Sequence, residues 1–180
     1  MPVLCPGCKD PKEAFASASQ FALSEGIISF GDVVVVTAGV PFGKKGTTNM
    51  MIVENIGDIL VRGHIGFGPK MSGRIFHLLS PETANIKDVE GKIAVISHCD
   101  NTFMNPLKRA KGIILQNWIG DASSEKYAIA LAKSLEIPVM TRADGAISML
   151  KPGEEVTLDP GRGLVYRGSE ETVTSSIFSF

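Results

Sequence analysis

Residues Gly31–Asn49 read GDVVVVTAGVPFGKKGTTN, and this stretch decides the fold class. The four consecutive valines Val33–Val36 show no polar alternation, which is typical of a strand covered on both faces in a parallel sheet. Three glycines and a proline follow the strand: Gly39, Pro41, Gly43 and Gly46. They interrupt regular structure and allow tight turns. Because open α/β sheets bind ligands in loops at the carboxyl ends of their strands, the stretch predicts an α/β fold with a candidate binding loop.

Composition and charge narrow the class of protein. A chain of 180 residues has room for one domain or two small ones, and its 44% apolar and 21% charged residues are typical of a soluble globular protein. The net charge of −1 argues against nucleic acid and acidic membrane surfaces as partners. The apolar runs are too short to span a bilayer, and no signal peptide is visible. Three cysteines without a disulfide framework favour the reducing cytoplasm.

The first third of the chain predicts part of an α/β domain. Asp10, Pro11 and Glu13 form a helix start with an N-cap, a proline at the first position and a capping box. We expect this helix to run to about residue 24, with strands at 1–4, 32–37 and 50–54. One helix and about three strands cannot cover both faces of a parallel sheet. Residues 1–56 therefore indicate the back half of an α/β domain with a large apolar surface left exposed.

A different texture begins at Gly57, where short strands alternate with glycine-rich turns. The pattern predicts strands at 59–61, 73–79, 92–97, 112–115 and 137–140, helices at 105–110, 124–135 and 144–150, and a hairpin of 156–159 with 163–166. Ser123 or Ser124 is the expected cap of the second helix. We predict a domain at 57–168 and a tail at 169–180.

The segment Gly31–Pro41, followed by Gly46–Asn49, closely resembles the C-terminal domain of pyruvate kinase. In that family the domain is an α/β sandwich that binds effectors and contributes tetramer contacts. Residues 57–63, 137–140, 153–159 and 162–168 resemble the extra C-terminal domain of some bacterial pyruvate kinases. That extension is similar to the swivelling phosphohistidine domain of phosphoenolpyruvate-utilising enzymes. The resemblance implies a partial three-layer α/β domain followed by a β/β/α domain.

The resemblance also implies what the chain cannot do alone. Pyruvate kinase transfers a phosphoryl group from phosphoenolpyruvate to ADP in a barrel that holds magnesium and potassium. Nothing here resembles that barrel, and 180 residues could not hold one beside these two domains. We expect a regulatory or accessory portion of a longer enzyme, without catalysis, cofactor or metal of its own. The alternative is a separately encoded assembly module that docks on a barrel-containing subunit or forms a homo-oligomer.

The family's phosphoryl acceptor is the histidine of a Thr-Ser-His motif at the start of the helix before an Ile-Pro-Val strand. Counting back from Pro138 places Glu125, Lys126 and Tyr127 at these positions. A tyrosine, with a pKa of about 10, does not replace an imidazole in reversible transfer near neutral pH. A phosphohistidine role is therefore not expected.

Two further groups of residues are candidate sites. The glycine-rich backbone with Lys44, Lys45, Thr47, Thr48 and Asn49 could hold the phosphate of a sugar or nucleotide effector, or could form only an exposed turn.

The pair Cys5 and Cys8 could serve redox chemistry, could share a zinc ion with His98 and Cys99, or could be a structural turn. Trp118 is either an interface anchor or a half-buried core residue.

Overall fold

A computed structural model describes Cys8, residues 10–41, Gly46, residues 48–82 and residues 86–168. The chain divides into two compact units, with the boundary between Asp58 and Ile59. The predicted strand at 1–4 and the predicted tail at 169–180 lie outside the described residues. Within the described ranges, no helix is both long enough and apolar enough to cross a membrane.

The first unit begins with helix α1 at Pro11–Ser24, as the sequence predicts. The carboxylate of Asp10 accepts hydrogen bonds from the backbone N–H groups of Lys12 and Glu13, at 2.8 and 2.9 Å. Two of the donors that a helix start leaves unpaired are thereby satisfied. Gly26 follows the helix with a positive φ of 66°, a conformation that glycine adopts without steric cost.

Strand β1 at Val33–Ala38 pairs with strand β2 at Met50–Asn55 in antiparallel register. The prediction of a parallel strand covered on both faces is wrong for the described residues, because alternate valines are exposed. Val33 and Val35 are 59% and 61% exposed, and Val53 on β2 is 63% exposed. A run of valines favours a strand whatever the direction of its partner, so it cannot distinguish these two arrangements. The first unit does expose apolar side chains, as the sequence predicts.

The second unit contains one mixed sheet of eight strands within its described residues. These are β3 Ile59–Arg62, β4 His64–Phe67, β5 Met71–His77, β6 Ile93–Ile96, β7 Gly112–Leu115, β8 Val139–Thr141, β9 Glu155–Asp159 and β10 Leu164–Arg167. The strand order is β3-β10-β9-β5-β6-β7-β8-β4. The helices are α2 Ile86–Val89, α3 Met104–Leu107, α4 Ala122–Leu135 and α5 Ala146–Met149. The predicted terminal hairpin is confirmed as β9 and β10.

Strands β5, β6, β7 and β8 are parallel, so their carboxyl ends meet at one edge of the sheet. Two buried clusters cover the two faces of these strands. The first cluster contains Ile113 and Leu115 together with Leu131 of α4. The second contains Ile114 together with side chains from α5 and from β3, β9 and β10. A helix layer thus lies on one face and mainly strands on the other, in agreement with the expected β/β/α fold.

Candidate functional site

A cleft opens where β6 ends and α4 begins. Its volume is about 520 Å³, and it is lined by His98, Cys99, Asp100, Asn101, Ser123, Ser124 and Tyr127. These side chains come from the loop after β6 and from the first turns of α4. The position agrees with the general preference of α/β sheets for ligands at the carboxyl ends of parallel strands. Although the sequence gives no metal-ligand or catalytic spacing for His98, the fold brings it to this cleft.

Asp121 caps α4 at the edge of the cleft. Its Oδ1 accepts hydrogen bonds from the backbone N–H of Ser124 at 3.2 Å and from the hydroxyl of Ser123 at 3.0 Å. The hydrogen bonds from Ser124 lower the pKa of Asp121, since they stabilise the ionised carboxylate. The expected caps, Ser123 and Ser124, are therefore wrong by two or three positions. A serine can cap a helix as well as an aspartate can, so composition alone does not separate these candidates.

The three residues that the sequence count assigns to the phosphoryl-acceptor motif have different surroundings on α4. Tyr127 is half-buried and lines the cleft. Lys126 is exposed, and the carboxylate of Glu125 binds Arg142. His98 lies in the same cleft and packs edge-on against Phe103, with ring centroids 4.9 Å apart.

Cys99 lines the cleft with little of its surface exposed, and it is a poor nucleophile or metal ligand. Its side chain is buried, and burial raises the pKa of the thiol to about 12, with a smaller contribution from the charge of Asp100. Cys8 is half-buried, and Cys5 lies outside the described residues. Among the described residues, no group of three or more histidine, cysteine or acidic side chains could hold a metal ion.

A polar cluster holds the loop between β7 and α4. The guanidinium of Arg142 binds Glu125, and its backbone N–H donates to Oδ1 of Asn117 at 2.8 Å. The Nδ2 of Asn117 donates to the carbonyl of Asp121 at 3.2 Å. Trp118 in this loop is 73% exposed, so the reading of a half-buried core tryptophan is wrong. Its role as an interface anchor stays a prediction.

The predicted effector loop is described only in part. Lys44, Lys45 and Thr47 lie outside the described residues, whereas Thr48 and Asn49 are exposed. The amide of Asn49 accepts a hydrogen bond from the backbone N–H of Val40 and donates one to its carbonyl, both at 2.8 Å. Asn49 thus links the start of the loop at Val40 to its end, which is a structural role.

The fold defines the second unit as a swivelling β/β/α domain, and the cleft lies at the carboxyl ends of its parallel strands. Comparison with protein families agrees with this assignment. The family described as "Pyruvate kinase, alpha/beta domain" matches residues 1–54, and "PEP-utilising enzyme, mobile domain" matches residues 88–163. The chain belongs to the pyruvate kinase family and corresponds to its C-terminal α/β and mobile domains.

Individual relatives cover most of the chain. A pyruvate kinase of Lactobacillus delbrueckii subsp. bulgaricus is 35% identical over 93% of this chain and 28% of its own length. A pyruvate kinase of Geobacillus stearothermophilus is 37% identical over 82% of this chain and 24% of its own length. The chain therefore spans about a quarter of the length of these relatives. Among solved structures, Thermococcus kodakaraensis aconitase X matches 61% of this chain and 98% of its own, with 22% identity and a TM-score of 0.45.

Proposed function

We propose that this chain is the C-terminal regulatory and accessory portion of a bacterial-type pyruvate kinase acting in cytoplasmic glycolysis. The parent reaction is phosphoryl transfer from phosphoenolpyruvate to ADP. The observation that carries the proposal is the order of the two family matches, the α/β domain at 1–54 and the mobile domain at 88–163, in a chain that aligns with pyruvate kinases over 93% of its length. The chain by itself does not catalyse the reaction.

A coupled assay for pyruvate tests this proposal. The purified chain is supplied with phosphoenolpyruvate, ADP, magnesium and potassium, and lactate dehydrogenase reports pyruvate through NADH oxidation. We expect no turnover above the rate without protein, while the full-length Geobacillus stearothermophilus pyruvate kinase turns over in the same mixture. Turnover that co-purifies with the 180-residue chain would refute the proposal that this chain alone does not catalyse the reaction.

We further propose that the loop of Lys44, Lys45, Thr47, Thr48 and Asn49 retains affinity for a phosphorylated effector. The support is its set of ammonium, hydroxyl and amide donors, with Asn49 closing the loop on Val40. Calorimetry with ribose 5-phosphate, glucose 6-phosphate and AMP tests it. We expect heat with at least one ligand, abolished by Lys44→Ala with Lys45→Ala and retained in the surface control Lys12→Ala. The absence of binding heat with all three ligands would refute the proposed effector site, and it would not affect the family assignment.

A second candidate is a separately encoded assembly module. The exposed side chains of Val33, Val35, Met51 and Val53 favour it, since they lie on one face of the β1–β2 pair. Apolar faces of this kind mark interaction sites. Size-exclusion chromatography with light scattering tests the idea. We expect an oligomer that dissociates in Val35→Lys with Val53→Lys and persists in Met149→Lys, a control that alters an exposed apolar residue of the second unit. A monomeric wild type at all concentrations would count against self-association.

A further inference from the structure

Arg142 occupies a backbone conformation that suits glycine. Its φ is 51°, in the left-handed region that side chains with a Cβ rarely adopt. The residue follows β8, at the same sheet edge as the cleft. Holding a residue other than glycine in this conformation costs free energy. Interactions elsewhere in the folded structure must offset that cost.

The compensation comes from an ion pair with Glu125. The Nε of Arg142 lies 2.9 Å from Oε2 of Glu125, and Nη2 lies 3.3 Å from Oε1, so the contact is bidentate. The Arg142 side chain is 34% exposed and the Glu125 side chain 13% exposed. A two-point contact that is largely shielded from water fixes both partners more firmly than a single exposed ion pair does. The pair therefore ties the first turn of α4 to the residue that follows β8.

Asn117 connects this pair to the loop before α4. It is buried, with 8% of its surface exposed, and its Oδ1 accepts the backbone N–H of Arg142 at 2.8 Å. Its Nδ2 lies 3.2 Å from the carbonyl of Asp121 and 3.4 Å from that of Trp118. The backbone N–H of Asp121 also donates to the Trp118 carbonyl at 3.0 Å. Both ends of the turn at 118–121 are thus held by one buried amide.

The tip of this turn carries large apolar side chains in solvent. Trp118 and Ile119 are 73% and 74% exposed. The indole ring lies over Gly120, since a Cβ added there would come within 2.0 Å of it. A side chain at position 120 would displace the ring. The exposed tryptophan therefore has a defined place in the turn although little of it is buried.

We propose that Arg142, Glu125 and Asn117 form a clamp that holds the Trp118–Asp121 turn in a single conformation. Glu125 stands where the family motif has its threonine, so this part of the motif serves the clamp instead of phosphoryl transfer. The clamp rests on the contacts of this chain alone, and only the comparison with the motif rests on the proposed function. Without the ion pair, Arg142 is no longer fixed to α4, so its backbone N–H holds Asn117 less firmly and the turn becomes more mobile.

The chain offers its own reporter, because Trp118 is its single tryptophan. Time-resolved fluorescence anisotropy separates local motion of the indole from tumbling of the whole protein. We expect Arg142→Gly and Glu125→Gln each to increase the amplitude of the nanosecond local motion at least twofold over the wild type. Arg142→Lys, which keeps one charged contact, should fall between. The glycine variant is chosen because glycine accepts the φ of 51°, so removal of the ion pair adds no backbone strain.

Arg109→Ala is the matched control. It breaks another arginine–glutamate pair of the same unit, in which the single nitrogen Nη1 of Arg109 lies 3.0 Å from both carboxylate oxygens of Glu90. We expect its anisotropy decay to equal that of the wild type. Far-UV circular dichroism confirms that each variant is folded. Unchanged decays in both clamp variants, an increase in Arg142→Gly without one in Glu125→Gln, or an equal increase in the control would each overturn the proposal.

Discussion

At the scale of single residues, the environment of Cys99 decides its chemistry. The thiol is buried, and burial raises its pKa from an ordinary value of 9.0 to about 12. Because the thiolate is the reactive form, we predict that Cys99 in the folded chain does not react with iodoacetamide between pH 7 and pH 9. Peptide mass spectrometry after native labelling locates the modified cysteines, and labelling in denaturant gives the full extent of reaction.

The raised pKa of Cys99 also determines how the stability of the folded state changes with pH. The folded state disfavours the thiolate, so this group's contribution to stability is complete below pH 9 and is lost as the pH rises from about 9 towards 12. Cys99→Ala should show a shallower alkaline fall in the free energy of unfolding. Rapid native labelling of Cys99 at pH 8 would contradict the prediction, and it would also reopen a redox or metal role for this residue.

At the scale of secondary-structure elements, the cap of α4 makes a testable contribution. Removal of the Asp121 carboxylate leaves the first turn without its acceptor, so Asp121→Ala should lower the free energy of unfolding by about 1 kcal/mol at pH 7. The pKa of Asp121 is lowered in the folded state, so the stabilisation is present above its ordinary value of 3.8 and disappears as the pH falls through the folded value. Urea titrations at pH 7 and pH 3 measure both effects.

Asp144→Ala, which removes an exposed aspartate, is the control for the Asp121 variant. Equal stabilities of the Asp121 and Asp144 variants at pH 7 would show that the cap contributes nothing.

The contact between β4 and β8 depends on a glycine. A Cβ at Gly66 would lie 1.7 Å from the carbonyl oxygen of Val139, so any side chain must move backbone atoms. We predict that Gly66→Ala lowers the free energy of unfolding by about 1–3 kcal/mol, the usual range for overpacking. Gly161→Ala is the control, because its nearest neighbour is 3.6 Å away. A Gly66 variant as stable as the control would mean that the two strands separate easily.

The contact between β4 and β8 could not be predicted from the sequence, whereas other elements could. Helix α1 and the hairpin of β9 and β10 follow from capping residues and turn residues, which are local signals. Strand β4 has no such signal, since Gly66 within it and the glycines on either side of it indicate turns, and only the approach of Val139 shows why a glycine is needed at position 66. The motif count singles out Tyr127, and the structure shows that this residue lines the cleft. It cannot reveal the clamp of Arg142, because that contact joins residues 17 positions apart across two elements.

At the scale of the whole molecule, the buried apolar residues are unevenly divided. In the described part of the first unit, Phe30 and Ile56 are buried hydrophobic residues, whereas the second unit holds two extended clusters. Since burial of apolar surface is the main stabilising contribution, the first unit should be the less stable of the two. This difference follows from packing, and the valine-rich sequence of β1 gives no hint of it.

We predict that heating produces two transitions, and that a core substitution in the second unit shifts only the upper one. Ile114 is fully buried among strands of the second unit, and Ile114→Ala should cost about 2–5 kcal/mol through lost burial and a residual cavity. Differential scanning calorimetry measures the transitions, and hydrogen exchange of the β1 and β2 amides reports on the first unit separately. Exchange in β1 and β2 should be unchanged by this substitution. A single transition that moves as a whole, with faster exchange in β1 and β2, would show instead that the two units unfold as one cooperative structure.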